Sequence, residues 1–304
     1  MARFRINILG CGSATPSLRH LPSCQVIDFR DNLMMIDCGE GAQLSMRKMK
    51  LKFSRLNHIF ISHLHGDHLL GLPGLLSTMS LHGKTGTVTI HTFREGIDLL
   101  KPLVDFLCHE PSYELVWHEI APAGGRILET PALTVDTFPL YHRVPAVGFL
   151  LRETEKPRHI KGDMVAFHQV PVSRMADIKA GADFVKPDGT IIPNAMLTSP
   201  ADPSVSYAYC SDTVYNPKIA EAVRGVDLLY HEATYIDADA HKAHERGHAT
   251  ASEAARTALE AGARQLLLGH YSKSYPDEKL HLAEAQAIFS NTLAANEGMT
   301  IDLL

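Results

Sequence analysis

Six consecutive residues constrain this chain more than any other part of its sequence. They lie between an apolar run at 58–62 and another at 69–76, and they read His63-Leu64-His65-Gly66-Asp67-His68. Three imidazoles and a carboxylate on a predicted turn between a buried strand and a helix can converge on more than one metal ion. Because four ligand-type residues must coincide at fixed offsets, this pattern is a strong signal. It predicts a metal centre at the end of a strand.

Such a centre needs more donors than the motif contains. A zinc ion takes about four donors, and two ions that share a site lie about 3.5–4 Å apart. Three further candidates each follow an apolar run that is typical of a strand. His142 follows 133–138, Asp212 follows 205–210 and His270 follows 265–269. Ligands at the ends of successive buried strands indicate a site on one rim of a rigid sheet.

A further carboxylate also stands at the end of a predicted strand. Asp37 follows the apolar run 33–36. We interpret it as the residue that orients a metal-bound imidazole, because ligating histidines usually donate their other N–H group to a carboxylate.

Four other motifs indicate which protein family the chain resembles. Residues 228–235 read LLYHEATY, 247–251 read GHATA, 269–272 read GHYS and 141–149 read YHRVPAVGF. Together with the histidine-rich turn, they resemble the ribonuclease Z branch of the metallo-β-lactamase superfamily, whose members remove the 3′ trailer from precursor tRNA. The resemblance extends from Ile8 to the region of Gly269 and matches the short, single-unit form.

This resemblance implies the fold. It predicts an α/β protein with a single αββα sandwich over 1–304, in which two mixed sheets face each other with helices outside. An inserted tRNA-binding arm is expected at about 153–197. The apolar runs noted above are continuous rather than alternating, as expected for strands whose outer faces are covered by helices.

The resemblance also implies the metal ligands and their chemistry. The first of two zinc sites would use His63, His65, His142 and a bridging Asp212, and the second would use Asp67, His68, His270 and the same Asp212. Sites of this composition also accept manganese, iron or cobalt.

Three residues are expected to carry the reaction, which would leave a 3′-hydroxyl on the tRNA. Asp67 would accept the proton of the attacking water, and His248 would protonate or stabilise the leaving 3′ oxygen. Glu232 would orient His248. The alternative is that Glu232 and His248 form a structural pair without chemistry.

The regions expected to bind RNA depart from the family pattern. Family members carry a P-x-K-x-R-N loop near the N-terminus, whereas residues 16–22 here read PSLRHLP, with Leu18 at the lysine position. Arg19 and His20 are the candidate substitutes. The arm lacks the usual Gly-Pro tip, and it is either an RNA-gripping element or an ordinary surface excursion. Its candidate RNA contacts are Arg158, Lys161, Arg174 and Lys179.

The net charge of −5 is unusual for an RNA-binding protein, because phosphate contacts supply much of such affinity. A positive field must therefore be local. The candidates are the arm and a basic cluster at 47–55. The resemblance further implies a homodimer in which the arm of one subunit serves the active site of the other.

Five cysteines without C-x-x-C spacing argue against a disulfide framework. The charged N-terminal residues do not resemble a signal peptide, and no apolar window reaches the roughly 18–20 residues of a membrane span. We therefore expect a cytoplasmic protein. Helices are predicted at 252–261, ending at Gly262, at 280–293, and from Asn216-Pro217 toward Gly225.

Three other functions compete with precursor-tRNA cleavage. A general dizinc phosphodiesterase of the same fold would act on small substrates, and the altered loop and arm tip favour it. A flavodiiron-type oxidoreductase shares the sandwich, but that class typically has glutamate at the position of His65 and adds a flavin domain. A degenerate RNA-binding module without catalysis is disfavoured because all the expected ligands are present.

Overall fold

A computed structural model describes residues 4–108 and 110–303. These form two compact units. The larger takes in the described parts of 1–129, 134–151 and 205–304, and the smaller takes in 130–133 and 152–204. The predicted arm at about 153–197 falls inside the smaller unit.

The strands follow the apolar runs of the sequence. They are β1 (Phe4–Gly10), β2 (Cys24–Phe29), β3 (Asn32–Ile36), β4 (Leu56–Phe60), β5 (Thr87–Thr92), β6 (Glu114–Glu119), β7 (Gly125–Glu129), β8 (Leu133–Leu140), β9 (Ala146–Glu153), β10 (His159–Ile160), β11 (Phe184–Val185), β12 (Ile191–Ile192), β13 (Thr198–Ser199), β14 (Ser206–Cys210), β15 (Leu228–Glu232), β16 (Gln265–Gly269), β17 (Thr292–Ala294) and β18 (Thr300–Leu303).

Helices lie between the strands. They are α1 (Ala42–Lys48), α2 (Gly66–Leu69), α3 (Leu72–Leu81), α4 (Arg94–Leu107), α5 (Gly162–Phe167), α6 (Met175–Lys179), α7 (Asn194–Leu197), α8 (Pro217–Ala222), α9 (Ala240–Arg246), α10 (Ala251–Ala261) and α11 (Lys279–Ile288). No helix in the described part of the chain has the length and apolarity that a membrane crossing requires.

Two seven-stranded sheets dominate the larger unit. The first has the order β18-β1-β2-β3-β4-β5-β6, and the second has the order β17-β16-β15-β14-β9-β8-β7. Strands β3 to β6 run parallel in the first sheet, and β14 to β17 run parallel in the second. The carboxyl ends of the parallel strands in each sheet therefore share one edge, where loops can carry functional side chains.

The two sheets face each other and helices cover their outer faces. On the first sheet, Met46, Leu75 and Val104 of α1, α3 and α4 belong to one buried cluster with strand residues such as Ile59 and Ile90. On the second sheet, α10 packs against β15 and β16. Between the sheets, the rings of Phe60 and Phe149 lie 5.5 Å apart. The predicted αββα sandwich is thus confirmed.

The local predictions were confirmed only in part. Helix α10 ends at Gly262, whose φ of 61° is the left-handed conformation expected of a helix-terminating glycine. The helix predicted at 280–293 was too long, since α11 stops at Ile288 and β17 occupies 292–294. A short apolar run is compatible with either structure, so the pattern alone did not place this boundary. All five cysteines are buried and free.

The smaller unit has an apolar core of its own, formed by Val170, Ile178, Phe184, Ile192 and Leu197. Two short antiparallel pairs, β10 with β13 and β11 with β12, complete it. Its ends lie together, because the Ser204 hydroxyl donates a hydrogen bond to the carbonyl oxygen of Thr154 over 2.9 Å.

Candidate metal centre and active-site cleft

The expected ligands come from loops at the carboxyl ends of strands. The histidine-rich turn follows β4, Asp212 follows β14 and His270 follows β16, while His142 follows β8. The structure brings seven of the candidate residues into two adjacent groups. One contains His63, His65, His142 and Asp212, and the other contains Asp67, His68 and His270.

In the first group, imidazole nitrogens point at one another. His65 Nδ1 lies 3.1 Å from His63 Nε2 and 3.3 Å from His142 Nε2. Asp212 Oδ2 lies 3.5 Å from His63 Nε2. Burial, followed by the repulsion of neighbouring imidazoles, lowers the pKa of His63 well below its usual value. A neutral imidazole is the form that binds metal, so this group suits a cation.

In the second group, Asp212 again supplies the shared carboxylate. His270 Nε2 lies 3.1 Å from Asp212 Oδ1 and 3.5 Å from Asp67 Oδ2. His68 Nε2 lies 3.4 Å from Asp67 Oδ2. The two Nε2 atoms are buried and form no hydrogen bond with any described residue. Buried polar atoms are rarely left without a partner, and a metal ion would supply one.

The charge of the second group differs from that of the first. Burial acts to lower the pKa of His68, but the carboxylates of Asp37, Asp212 and Asp67 outweigh it and raise that pKa well above 6.5. Burial acts to raise the pKa of Asp67, but the facing imidazoles of His68 and His270 hold it well below its usual range. A metal that binds here must therefore displace the proton of His68.

Asp37 holds one imidazole of each group. Its Oδ2 atom accepts a hydrogen bond from His68 Nδ1 at 2.7 Å and another from the Ser62 hydroxyl at 2.9 Å. Ser62 Oγ lies 3.1 Å from His63 Nδ1. The carboxylate thus orients His68 directly and His63 through Ser62, with their Nε2 atoms turned toward the two groups.

Glu232, at the end of β15, has a similar place on the other sheet. Its Oε1 atom lies 2.9 Å from His248 Nδ1, and its Oε2 atom accepts a hydrogen bond from the Thr234 hydroxyl at 2.7 Å. Thr234 Oγ1 lies 2.8 Å from His270 Nδ1. Glu232 therefore positions His248 directly and His270 through Thr234.

His142 is held by backbone. Its Nδ1 atom donates to the carbonyl oxygen of Gly247 at 2.7 Å. Gly247 ends α9 with a φ of 78°. A Cβ atom at this position would lie 2.8 Å from His142 Nδ1. Glycine is required here both for the left-handed backbone and for the space beside the imidazole.

Two of the site residues adopt a backbone conformation that is uncommon for residues other than glycine. Asp37 has a φ of 56° and His270 a φ of 60°. Each follows the last residue of a buried strand, β3 and β16 respectively. Such strain costs of the order of 1 kcal/mol and persists where the surroundings fix the residue. Here the hydrogen bonds to Asp37 and from His270 do so.

The two groups open into a cleft of about 710 Å³. Backbone also contributes to its wall, since the N–H group of Ala14 donates to Asp67 Oδ2 over 2.7 Å. Three exposed cations line the cleft: Arg143, Arg246 and Lys273. The sequence motifs did not identify them. Each lies within three residues of His142, His248 or His270, and that proximity was the available signal.

The predicted RNA contacts near the N-terminus are engaged elsewhere. His20 is buried, with its Nε2 atom 2.8 Å from Glu278 and its Nδ1 atom 2.9 Å from Glu297. Arg19 forms a 2.6 Å ion pair with Glu278. These contacts hold both side chains against acidic residues near the C-terminus, and their role in RNA binding stays a prediction.

The candidate residues of the arm lie in the smaller unit and are partly engaged within it. Arg158 Nε donates to the Thr198 hydroxyl at 2.8 Å, and Lys161 Nζ donates to the carbonyl oxygen of Ala195 at 3.0 Å. Arg174 pairs with Asp177 at 3.1 Å. Lys179 is exposed.

Two family models match parts of this chain. A family model described as a beta-lactamase superfamily domain matches residues 196–271. Another, described as the anti-Pycsar protein Apyc1, matches residues 4–100. The first match contains Asp212, Glu232 and His248, and the second contains the histidine-rich turn.

Relatives match along the whole chain. Ribonuclease Z of Bacteroides fragilis strain YCH46 is 51% identical over 304 residues, which are 100% of both chains. Ribonuclease Z of Porphyromonas gingivalis strain W83 is 50% identical over 305 residues, again 100% of both. The crystal structure of human tRNase Z, short form, has a TM-score of 0.72 at 26% identity and covers 98% of each chain. This chain therefore belongs to the ribonuclease Z family of the metallo-β-lactamase superfamily.

Proposed function

We propose that this chain is a metal-dependent endoribonuclease that cleaves the 3′ trailer from precursor tRNA and leaves a 3′-hydroxyl on the tRNA. The observation that carries the proposal is the pair of adjacent ligand groups, both of which contact Asp212 and open into a cleft. Family membership supports the same activity and disfavours a flavodiiron-type oxidoreductase. The presence of every expected ligand disfavours a non-catalytic RNA-binding module.

The metals proposed are two zinc ions per chain. His63, His65, His142 and Asp212 would hold the first, and Asp67, His68, His270 and Asp212 would hold the second. Nitrogen and carboxylate oxygen are donors that zinc accepts. The Nε2 atoms of His68 and His270 support this assignment, because they are buried and face carboxylates without forming a hydrogen bond. Manganese, iron and cobalt fit the same donor set.

When bound, zinc lowers the pKa of water toward about 7 and offsets the charge of a phosphodiester. The protein supplies the proton transfers. Asp67 lines the cleft, and its Oδ2 atom faces His68 Nε2 at 3.4 Å and His270 Nε2 at 3.5 Å. This position beside the proposed metal suits it to take the proton of the attacking water.

His248 would protonate the leaving 3′ oxygen. Burial acts to lower the pKa of His248, but Glu232, Asp212 and Asp67 raise it to about 9. The imidazole then carries a proton at neutral pH, as a general acid must. Glu232 would fix the ring so that Nε2 is the atom free to donate, because Nδ1 is engaged with the carboxylate.

The cleft cations, Arg143, Arg246 and Lys273, would bind the phosphates on either side of the scissile bond. Each lies within three residues of His142, His248 or His270, with Arg246 as the last residue of α9, so the RNA backbone would be held close to the reacting phosphate. Replacing each by alanine should reduce the salt dependence of RNA affinity by about one unit of slope. Arg94→Ala is the control, since Arg94 is also exposed but pairs with Asp98 and does not line the cleft.

A general dizinc phosphodiesterase remains the second candidate. Two observations favour it: Leu18 stands fully exposed at the tip of the altered loop, and Arg19 and His20 are occupied by acidic partners. One experiment decides between the two activities. The purified protein is assayed on an unmodified precursor tRNA and, in parallel, on a chromogenic phosphodiester. Cleavage of only the small substrate would overturn the proposed tRNA activity.

The arm and the homodimer complete the proposal. The family resemblance supports a dimer in which the arm of one subunit serves the active site of the other. Complementation tests this directly. A subunit that lacks the arm is mixed with an Asp67→Ala subunit that keeps it, and precursor-tRNA cleavage should appear only in the mixture. Activity that stays absent would count against an arm that acts across subunits.

A further inference from the structure

Three residues of the second sheet reach across the sandwich to the first. Tyr207, Tyr209 and Ser211 alternate along β14 and its continuation, so their side chains share one face of the strand. The Tyr207 hydroxyl donates to Gln25 of β2, and the Tyr209 hydroxyl donates to Asp37 Oδ2, which follows β3, at 2.8 Å. The hydroxyls of Ser211 and Ser62, which follows β4, are hydrogen-bonded over 3.1 Å.

The middle contact differs from the others because its acceptor is Asp37. Tyr209 is 1% exposed, and its ring stacks on that of Tyr230 with the centroids 4.8 Å apart. The hydroxyl is therefore fixed by the second sheet. Its acceptor, the Oδ2 atom, is the same atom that receives the hydrogen bond from His68 Nδ1.

From these contacts we propose that Tyr209 is a positioning residue for the metal centre, which sets the place of Asp37 and, through it, the direction of His68. The inference rests on the proposed metal site. Asp212, the ligand shared by both groups, comes three residues after Tyr209 in the same chain segment. The Tyr209 hydroxyl thus connects two parts of the site. It joins the segment of the second sheet that carries Asp212 to Asp37, which orients His68 of the first sheet.

The geometry of the second ligand group depends on a connection of this kind. The second ligand group draws Asp67 and His68 from one sheet and Asp212 and His270 from the other, so its dimensions depend on how the sheets are held together. Groups that orient a metal-bound histidine typically change metal affinity by about 10–100-fold when they are lost. Tyr209 would not contact the metal-bound histidine itself but would position Asp37, the carboxylate that orients it.

The experiment compares Tyr209→Phe with Tyr207→Phe. Each variant loses one hydroxyl that bridges the two sheets and keeps its buried ring. Stepwise affinities of the metal-free protein for Zn²⁺ are measured by competition with a chromophoric chelator, and thermal unfolding of the metal-free form is measured in parallel. Tyr209→Phe should weaken binding of one of the two ions by about tenfold. It should weaken binding of the other by less, because Asp37 reaches His63 only through Ser62.

Tyr207→Phe is the matched control. It should lower the melting temperature by a similar amount and leave both affinities unchanged, because Gln25 contacts none of the ligands named above. The inference would be overturned if Tyr209→Phe bound Zn²⁺ as tightly as the unchanged protein. It would also be overturned if Tyr209→Phe and Tyr207→Phe lost Zn²⁺ affinity equally. If the unchanged protein bound no Zn²⁺, the proposed metal centre would fall, and the role of Tyr209 with it.

Discussion

His248 Nδ1 lies 2.9 Å from Glu232 Oε1, and this contact joins the proposed proton donor to a fully buried carboxylate. Its consequence can be measured by NMR in the metal-free protein. His248 should titrate well above 6.5, toward about 9, and Glu232→Gln should bring its pKa down because the negative charge is lost. Glu260→Gln, which alters a surface partner of Tyr215, should leave it unchanged.

The same shift predicts how stability depends on pH. A pKa raised from 6.5 in the unfolded chain to about 9 in the fold contributes stability that is fully present below pH 6.5. That contribution is lost as the pH rises through about 9. Denaturant unfolding of the metal-free protein should show this loss, and Glu232→Gln should reduce it. An identical pH profile in both proteins would contradict the assignment.

Metal content tests the two ligand groups. The purified protein should hold about two metal ions per chain, as expected for a shared two-metal site. His65→Ala and Asp212→Ala should each lower occupancy and reduce hydrolysis by orders of magnitude, since each removes a donor. His82→Ala, an exposed histidine at the end of α3, is the control for elemental analysis. Full activity after exhaustive chelation would end the hydrolase assignment.

Asp67→Ala and His248→Ala should separate the two proton transfers. Asp67→Ala should abolish cleavage while the first metal is largely retained, because the first group does not use Asp67. His248→Ala should reduce turnover at nearly normal metal content. The loss should be about 10²–10⁴-fold on RNA and smaller on a substrate whose leaving group needs no protonation. Equal losses on both substrates would remove His248 from the acid role.

Gly247→Ala should weaken metal binding at the first group. The added Cβ atom would lie 2.8 Å from His142 Nδ1, so the imidazole must move away from its ligand position. Gly262→Ala is a closely matched control. Gly262 also ends a helix in the left-handed conformation, but a Cβ atom added there would have nothing within 4 Å. Chelator competition should therefore distinguish the two variants, although both lose stability to backbone strain.

Excising the arm tests whether it grips RNA. Since Ser204 Oγ and the carbonyl oxygen of Thr154 are hydrogen-bonded, a short Gly/Ser linker can replace 155–203 and remove the core of the smaller unit entirely. The truncated protein should still hydrolyse a chromogenic phosphodiester. Its kcat/KM on precursor tRNA should fall steeply, because the remote contacts that position a long substrate are gone. Unchanged tRNA processing would make this segment a surface excursion.

Charge makes the arm experiment more informative. Within 152–204 there are seven Lys and Arg residues and seven Asp and Glu residues, so this segment has no net formal charge. If the arm contributes mainly through shape and apolar contact, its removal should lower tRNA affinity with little change in salt slope. Replacing a cleft cation should instead reduce the salt slope. Measuring tRNA affinity at several salt concentrations therefore distinguishes the contribution of the arm from that of the cleft cations.

The metal-ligand positions were predictable from the sequence, because histidine and aspartate are conspicuous when they follow apolar runs that are typical of strands. Five histidines and two aspartates after apolar runs identified the rim of the sheets where the structure brings them together. The hydroxyl groups behind them were not predictable. Ser62, Thr234 and Tyr209 are ordinary residues for strands and turns, and Tyr209 lies 172 positions from Asp37 in the sequence.

Positions next to a recognised motif were harder to interpret. His20 lies in the loop that the family resemblance assigns to tRNA binding, and its residue type suits RNA. Its place between Glu278 and Glu297 depends on residues more than 250 positions away. Local sequence carries no trace of such partners, so a buried histidine and an exposed one look alike until the fold is known.

Asp37, Glu232 and the carbonyl oxygen of Gly247 hold four of the five ligand imidazoles from behind, directly or through Ser62 and Thr234. The ordering of those rings is therefore completed when the chain folds. A zinc finger, by contrast, folds only when its ion arrives. The metal-free protein should therefore be a folded species that becomes active when metal is supplied, without a refolding step.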